Sequence, residues 1–471
     1  MEVAIRLDRT EGLTRQVYAQ LRDAVLDGRL RPAEALPSSR ALAEQLKVSR
    51  NTVTTAYERL VAEGFLTGRA GAGTFVNALP LGESAVPRSP FGPLTPRAVW
   101  SPLPVPPDFA EVPEFDFRVG APDARLFPYA AWRRLLTNQF QPSAVGTGLP
   151  AEPAGHVGLR TLIAHHLRTA RTIEAHPQDV LVTSGAQQAL DLIGRVLLEP
   201  GATAAVEEPG YAPPRLVWES QGIRVTGVPV DDQGLIVDAL PTDARLVYVT
   251  PSHQYPTGVA LSLQRRIELL AWARRHDAAI VEDDYDSEFR YTEQQLEPLH
   301  SLDRSGRVLY VGSFSKVLLP TLRLGFLLHP PSIRHALHAA KFVTDWHTNL
   351  PIQAAMAEFI KQGMYAQHLR RVRRVYRQRH ERITAALAGP LSAHLTAVPS
   401  SVGLHLSAIV RGASASDAVI RARAAGVGVA SFPEIAMAAA DAPGIAFGYG
   451  MIDTHRIDQG LDRLHRCLDN D

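Results

Sequence analysis

Pro37-Ser38-Ser39-Arg40-Ala41-Leu42-Ala43-Glu44-Gln45-Leu46-Lys47-Val48-Ser49-Arg50-Asn51-Thr52-Val53-Thr54-Thr55-Ala56-Tyr57 is the stretch that decides how the first part of this chain folds. Its apolar residues fall at helical spacing in two short groups, Leu42 with Leu46, then Val53 with Tyr57 and, further on, Leu60 and Val61. Ser39 and Ser49 stand where a side-chain oxygen caps the first N–H groups of each helix, and Lys47-Val48 leaves room only for a tight turn. Two short helices joined in this way make a helix-turn-helix. Arg50, Asn51, Thr52 and Thr54 lie off the apolar face just after Ser49, where a recognition helix meets base edges in a major groove, and Ser49 is assigned to the DNA-binding set with them. Arginine suits guanine and asparagine suits adenine through paired hydrogen bonds, so double-stranded DNA is the expected partner.

Working outward, Val17, Leu21 and Val25 mark an earlier helix, and residues 64–76 hold two β-prone pieces around a glycine-rich tip, the pattern of a hairpin. Arg40 and the hairpin's Arg69 are placed to meet phosphate or a minor groove. Residues 1–78 carry 11 Lys and Arg against 9 Asp and Glu, and the whole chain has a net charge of +1. Charge alone therefore gives no reason to expect nucleic acid, and the expectation rests on geometry.

Residues 80–113 hold ten prolines in 34 positions. Each proline removes a backbone donor and fixes φ, so the stretch reads as an extended linker, assigned to residues 79–113. From residue 114 to 471 the texture is α/β. Strand-like runs at 180–182, 204–206, 246–250, 279–281 and 308–311 alternate with helical segments such as 187–198 and 263–275. This alternation implies a mostly parallel sheet covered by helices, with ligands at the carboxyl ends of its strands.

At 471 residues the chain exceeds one ordinary core, and 45% apolar with 21% charged residues suits a globular protein. One cysteine, Cys467, excludes an internal disulfide framework and fits a reducing compartment. The first nine residues lack the apolar core of a signal peptide, and no apolar run approaches the length of a membrane span. A cytoplasmic protein with no membrane partner is expected; no metal is assigned.

In the second domain Ser313-Phe314-Ser315-Lys316 closes a strand-like run, and Arg323 follows seven residues after the lysine. Pyridoxal phosphate (PLP) chemistry needs an amine for a Schiff base, with a cation, hydroxyls and backbone donors for the phosphate. Lys316, Arg323, Ser313 and Ser315 are those groups. Upstream, Val281-Glu282-Asp283-Asp284-Tyr285 offers a carboxylate for the pyridine nitrogen and a hydroxyl for the ring oxygen. The same acids could instead hold Mg²⁺, although no glycine-rich phosphate loop accompanies them. Gly185, Ala186 and Gln187 open a helix whose backbone amides favour a phosphate. Tyr211 is placed to stack on the ring.

Leu36-Pro37-Ser38-Ser39-Arg40, Leu42-Ala43-Glu44-Gln45-Leu46 and Val48-Ser49-Arg50-Asn51-Thr52-Val53 resemble the winged helix-turn-helix of the GntR family. Pro251-Ser252-His253-Gln254-Tyr255-Pro256-Thr257-Gly258, residues 282–291 and Ser313-Phe314-Ser315-Lys316 are similar to the fold-type I aminotransferase domain of its MocR/GabR subfamily. The resemblance implies a multi-domain chain: a small α+β winged helix-turn-helix, then a large α/β aminotransferase-like domain. By the same resemblance Lys316 is the Schiff-base lysine, Asp283 meets the pyridine nitrogen, Tyr285 the ring oxygen, Tyr211 the ring face and Arg323 the phosphate. It also implies a head-to-tail homodimer and a regulator responsive to PLP or to PLP joined to an amine effector. Control of vitamin B6 or amino-acid metabolism would follow. An active aminotransferase carrying a DNA-binding module is the alternative.

Three features expected of an aminotransferase are missing. Tyr255 stands where asparagine precedes Pro-Thr-Gly, Gly444 occupies the place of a carboxylate-binding arginine in Pro443-Gly444-Ile445-Ala446-Phe447, and Pro150 replaces a tyrosine. Arg215, Arg421 and Arg423 are the other candidates for gripping a carboxylate. Without a bidentate guanidinium, ordinary amino-acid transamination loses its strongest anchor.

Overall fold

Helical spacing in the first seventy residues produces three helices in a computed structural model of the chain, which describes residues 5–8, 12–79, 94–104, 112–145, 151–291, 297–437, 439 and 442–469. They are α1 (Leu13–Leu26), α2 (Ser39–Leu46) and α3 (Arg50–Ala62), and the hairpin β1 (Leu66–Arg69) and β2 (Gly73–Val76) follows. Val17, Leu21, Leu42, Val53, Ala56 and Leu60 are completely buried together. Burial of each larger side chain stabilises this small unit by about 1.5–3 kcal/mol. Val61 is 40% exposed, because the packed stripe of α3 runs through 53, 56, 57 and 60 and turns 61 outward.

Ser49 caps α3 by accepting from the Thr52 N–H at 3.1 Å. The cap of α2 is Ser38, not Ser39: Ser38 is extended and its hydroxyl accepts from the Ala41 N–H at 3.2 Å, whereas Ser39 is already helical. Lys47 closes α2 with φ of 52°, the left-handed geometry that the tight turn requires.

The chain divides into two compact units, residues 1–97 and 98–471. Residues 80–93 and 105–111 of the proline-rich stretch lie outside the described residues.

The larger unit is built on eight strands: β3 (Val180–Thr183), β4 (Thr203–Glu208), β5 (Arg224–Asp231), β6 (Gly234–Leu235), β7 (Ala244–Val249), β8 (Ala279–Asp284), β9 (Val308–Ser313) and β10 (Gly325–Leu328). Their order across the sheet is β3-β10-β9-β8-β7-β4-β5-β6. The five strands from β9 to β5 run parallel, and β10 lies antiparallel between β9 and β3. Side chains alternate across the sheet: Leu246 and Tyr248 join one buried cluster, Val247 and Val249 another. Both faces are therefore covered, and the central strands read as continuous apolar runs. α4 (Ala186–Leu197) follows β3 and packs on the first of these faces. Because β10 runs back, Arg323 just before it returns to the edge where β3, β8 and β9 end.

A long helix, α5 (Met364–Ala388), leads to an antiparallel sheet of β11 (Leu395–Val398), β12 (His405–Val410), β13 (Ala430–Ser431) and β14 (Gly444–Gly448), ordered β11-β12-β14-β13. The described residues contain no helix long and apolar enough to cross a membrane.

Candidate functional site

Where β7, β8 and β9 end, a cavity of about 220 Å³ opens, lined by Ala186, Gln187, Tyr211, Asp283, Tyr285, Ser313, Ser315, Lys316 and Arg323 among others. The sequence singles out all nine of these residues, and the fold gathers them from five separate segments. Gly185 is not in the lining; it lies behind it. Its φ is +81° and a Cβ there would come within 3.1–3.4 Å of the Arg323 guanidinium, so only glycine lets the arginine pass. Arg323 donates to the Ser184 carbonyl at 3.0 Å. No side chain caps the start of α4, whose Ala186 and Gln187 line the cavity together with Arg323; open helix-start amides beside a cation favour an anion.

Lys316 Nζ donates to the Gly120 carbonyl. Burial holds its ammonium below the usual lysine value, while Asp286 and Asp283 oppose that shift. Asp283 accepts the Tyr248 hydroxyl on Oδ2 at 2.8 Å, and its Oδ1 is buried without a partner. An orphaned carboxylate oxygen in a cavity wall is costly unless a donor arrives, as a protonated pyridine nitrogen would. Lysine amine, unsatisfied carboxylate oxygen, arginine and open helix start together fit PLP.

Burial pushes the Asp283 carboxyl from 3.8 up to about 7, against the Tyr248 hydrogen bond. A carboxyl raised on folding makes the folded chain bind more protons than the unfolded one across that window, so stability falls as pH rises through it. Buried Glu207 and Glu282, both pushed up to about 7, act with the same sign. We expect the melting temperature of PLP-free protein to drop from about pH 5 to about pH 8. Asp283→Asn should show a smaller drop, measured by differential scanning fluorimetry; an equal drop would remove Asp283 from the explanation.

The neighbouring acids do not converge on a cation. Glu282 accepts from the Leu299 and His300 N–H groups at 2.9 and 2.8 Å, while Asp284 pairs with Arg171 and Tyr310. Alternation along β8 turns Asp283 to the face opposite Glu282 and Asp284, and those two acids are each held by other donors.

Sequence reading did not place Gly120, Tyr248, Asp286, Leu404 or His405 at the site, and it met Tyr255 only as a departure from a pattern; all six line the cavity. Tyr285 donates to the His253 carbonyl at 2.9 Å, and His253 Nδ1 lies 3.0 Å from Asp286. Tyr211 is 38% exposed and meets Tyr255 edge-on with ring centroids 5.5 Å apart. None of the other arginine candidates lines the cavity: Arg215 pairs with Glu208 and Arg423 with Glu434. At Gly444, a Cβ would fall 2.0 Å from the Phe432 ring, so that position is filled by an aromatic side chain. Pro150 lies outside the described residues.

In the smaller unit Arg50 and Asn51 are exposed at the start of α3, and Arg40 is exposed on α2. Thr52 and Thr54 are half-buried, and the Thr52 hydroxyl bonds the Ser49 hydroxyl at 2.8 Å. Thr55, one turn after Asn51, is exposed instead; the i, i+4 spacing was the available signal. Arg69 is exposed with its guanidinium over the Phe75 ring at 4.9 Å.

Winged helix-turn-helix and PLP-type α/β fold in one chain define a transcriptional regulator of composite type. The GntR family of bacterial regulatory proteins matches residues 13–76, and the class I and II aminotransferases match residues 146–433. The probable rhizopine catabolism regulatory protein MocR of Rhizobium meliloti is 36% identical over 463 residues, covering 96% of this chain and 93% of that protein. The HTH-type pyridoxine biosynthesis transcriptional regulator PdxR of Corynebacterium glutamicum is 33% identical over 454 residues, 96% and 95% of the two chains. The structure of Pyrococcus horikoshii kynurenine aminotransferase in complex with PMP superposes with a TM-score of 0.70 at 27% identity, over 76% of this chain and 91% of that one. The chain belongs to the MocR/GabR subfamily of GntR regulators.

Proposed function

We propose that this protein binds an operator through residues 1–78, that its 114–471 domain holds PLP, and that PLP, alone or joined to an amine, changes operator binding. The observation that carries the reading is the meeting of Lys316, the orphaned Asp283 oxygen and Arg323 around one cavity. PLP supplies an electrophilic carbonyl on an electron-withdrawing ring. Lys316 Nζ is the attaching amine, and its burial favours the neutral, nucleophilic form. Asp283 Oδ1 takes the pyridine N–H while Tyr248 keeps Oδ2 occupied. Tyr285 serves the ring oxygen and Tyr211 covers the ring face. Arg323, Ser313, Ser315 and the amides of Gly185, Ala186 and Gln187 receive the phosphate.

Ligation would favour one of two arrangements of the DNA-binding units in a head-to-tail homodimer, with residues 79–113 as the linker. A cytoplasmic location and a regulated gene of vitamin B6 metabolism, as the name of PdxR suggests, complete the reading. The deciding measurement is the absorbance spectrum of the purified protein, followed by operator binding with and without PLP. A band near the visible edge and a PLP-dependent change in affinity are expected; a colourless protein indifferent to PLP sinks the proposal. Steady turnover of an amino donor with a keto acid would assign an aminotransferase instead.

At the operator, Arg50→Ala and Asn51→Ala should each weaken specific binding by about 1–3 kcal/mol, with relaxed preference at one base pair. Arg40→Ala should weaken all sequences alike and flatten the salt dependence. Fluorescence anisotropy against operator and scrambled duplexes separates these outcomes.

A further inference from the structure

His405 opens β12, is 4% exposed, and shares the cavity with Lys316, Tyr255 and Tyr285, yet the proposed function leaves it without a task. Its Nε2 lies 3.1 Å from the Pro256 carbonyl oxygen, which also receives the Ser407 hydroxyl. A carbonyl oxygen only accepts, so Nε2 carries the ring proton. Burial first, then His253 and Lys316 nearby, hold this imidazole well below the usual histidine value, so it bears no second proton near neutrality. A neutral ring protonated on Nε2 leaves Nδ1 as a bare lone pair. Among the described residues nothing donates to that atom. Close by, Asp286 and His253 already bond each other. An acceptor in a cavity wall gains when a ligand brings a donor, and loses when a ligand brings a second acceptor.

We propose that His405 selects the effector: its Nδ1 accepts a hydrogen bond from a hydroxyl or second amino group on a primary amine that enters the cavity. The ligand class is then a hydroxylated amine or diamine. A carboxylate in that place would set acceptor against acceptor. This inference rests on the PLP reading of the site.

The test titrates full-length, PLP-loaded protein with ethanolamine, ethylamine and β-alanine and follows the change in the PLP absorbance band. One neutral hydrogen bond corresponds to a preference of about tenfold for ethanolamine over ethylamine. In His405→Phe that ratio should fall to about one. His405→Gln adds N–H donors beside an acceptor, so it should gain response to β-alanine while keeping part of the ethanolamine preference. A wild-type ratio near one overturns the inference, as does a ratio that survives in His405→Phe, or a His405→Gln variant no more responsive to β-alanine than wild type. If the wild-type protein shows no PLP band at all, the cofactor reading fails instead, so the two failures are distinguishable.

Discussion

Lys316→Ala is expected to erase the long-wavelength absorbance of the PLP-loaded protein and to leave operator affinity the same with and without PLP. Lys316 is the one lysine among the residues lining the cavity, and no other lining side chain offers an amine for covalent attachment. Removal leaves the Asp283 and Arg323 contacts available, so PLP would still dwell there, but without the covalent bond that makes its occupancy long-lived. The measurement has two parts: a spectrum after desalting, and an anisotropy titration of operator duplex. A variant that keeps the band would show that another amine is the attachment point. A variant that loses the band yet still responds fully to PLP would show that the covalent link is dispensable for signalling.

The second large effect concerns stability. Arg171 and Asp284 form a buried ion pair at the end of β8, with side chains 8% and 2% exposed, and the Tyr310 hydroxyl also bonds Asp284. Burial alone would raise the Asp284 carboxyl; Arg171, with the Ser287 and Tyr310 hydroxyls, brings it below its usual value instead. Breaking such a pair strands a charge in a low-dielectric interior, and the cost is about 3–5 kcal/mol. Arg171→Met should therefore lower the unfolding free energy of the larger unit by about that amount in a urea titration. Adding Asp284→Leu should recover a good part of the loss, since apolar replacement of both partners is often neutral. A single variant within about 1 kcal/mol of wild type would mean that Asp284 takes up a proton or finds another partner.

The pair also bears on function, because Asp284 adjoins Asp283. Glu288, pushed up to about 7 by burial and then by Asp284, lies in the same small cavity as Arg171, Tyr310 and His166. Loss of Arg171 would leave two acids there without their strongest cation.

Local signals carried the smaller unit. Serines before two apolar repeats, a turn too short for anything but a left-handed residue, and glycines at a hairpin tip each act within a few residues, so they are visible in one dimension. Even there Ser38 and Ser39 were interchangeable as letters, and only backbone angles chose Ser38 as the cap. In the larger unit, Lys316 and Asp283 were legible because they sit at or just beyond the carboxyl ends of strands, where α/β sheets present their ligands; Arg323 precedes β10 and reaches the same edge only because that strand runs antiparallel.

The cavity's remaining walls were not legible. Gly120 meets Lys316 from 196 residues away, and His405 reaches Pro256 across 149. Nothing in local periodicity ties such pairs together. Whether Gly444 leaves a vacancy or a filled place could not be read from its identity either; it depends on the Phe432 ring arriving from a neighbouring strand end.

By itself the sequence determined the two kinds of unit, the strand ends that carry Asp283 and Lys316, and the buried stripe of α3, because caps, turns and apolar periods act over a few residues. Tertiary structure alone decided which carboxylate oxygen is left unpaired, which imidazole nitrogen is bare and which acids part company along β8. Those outcomes depend on partners brought together by the sheet, and a hydrogen bond is made or lost over a fraction of an ångström that no spacing of letters encodes.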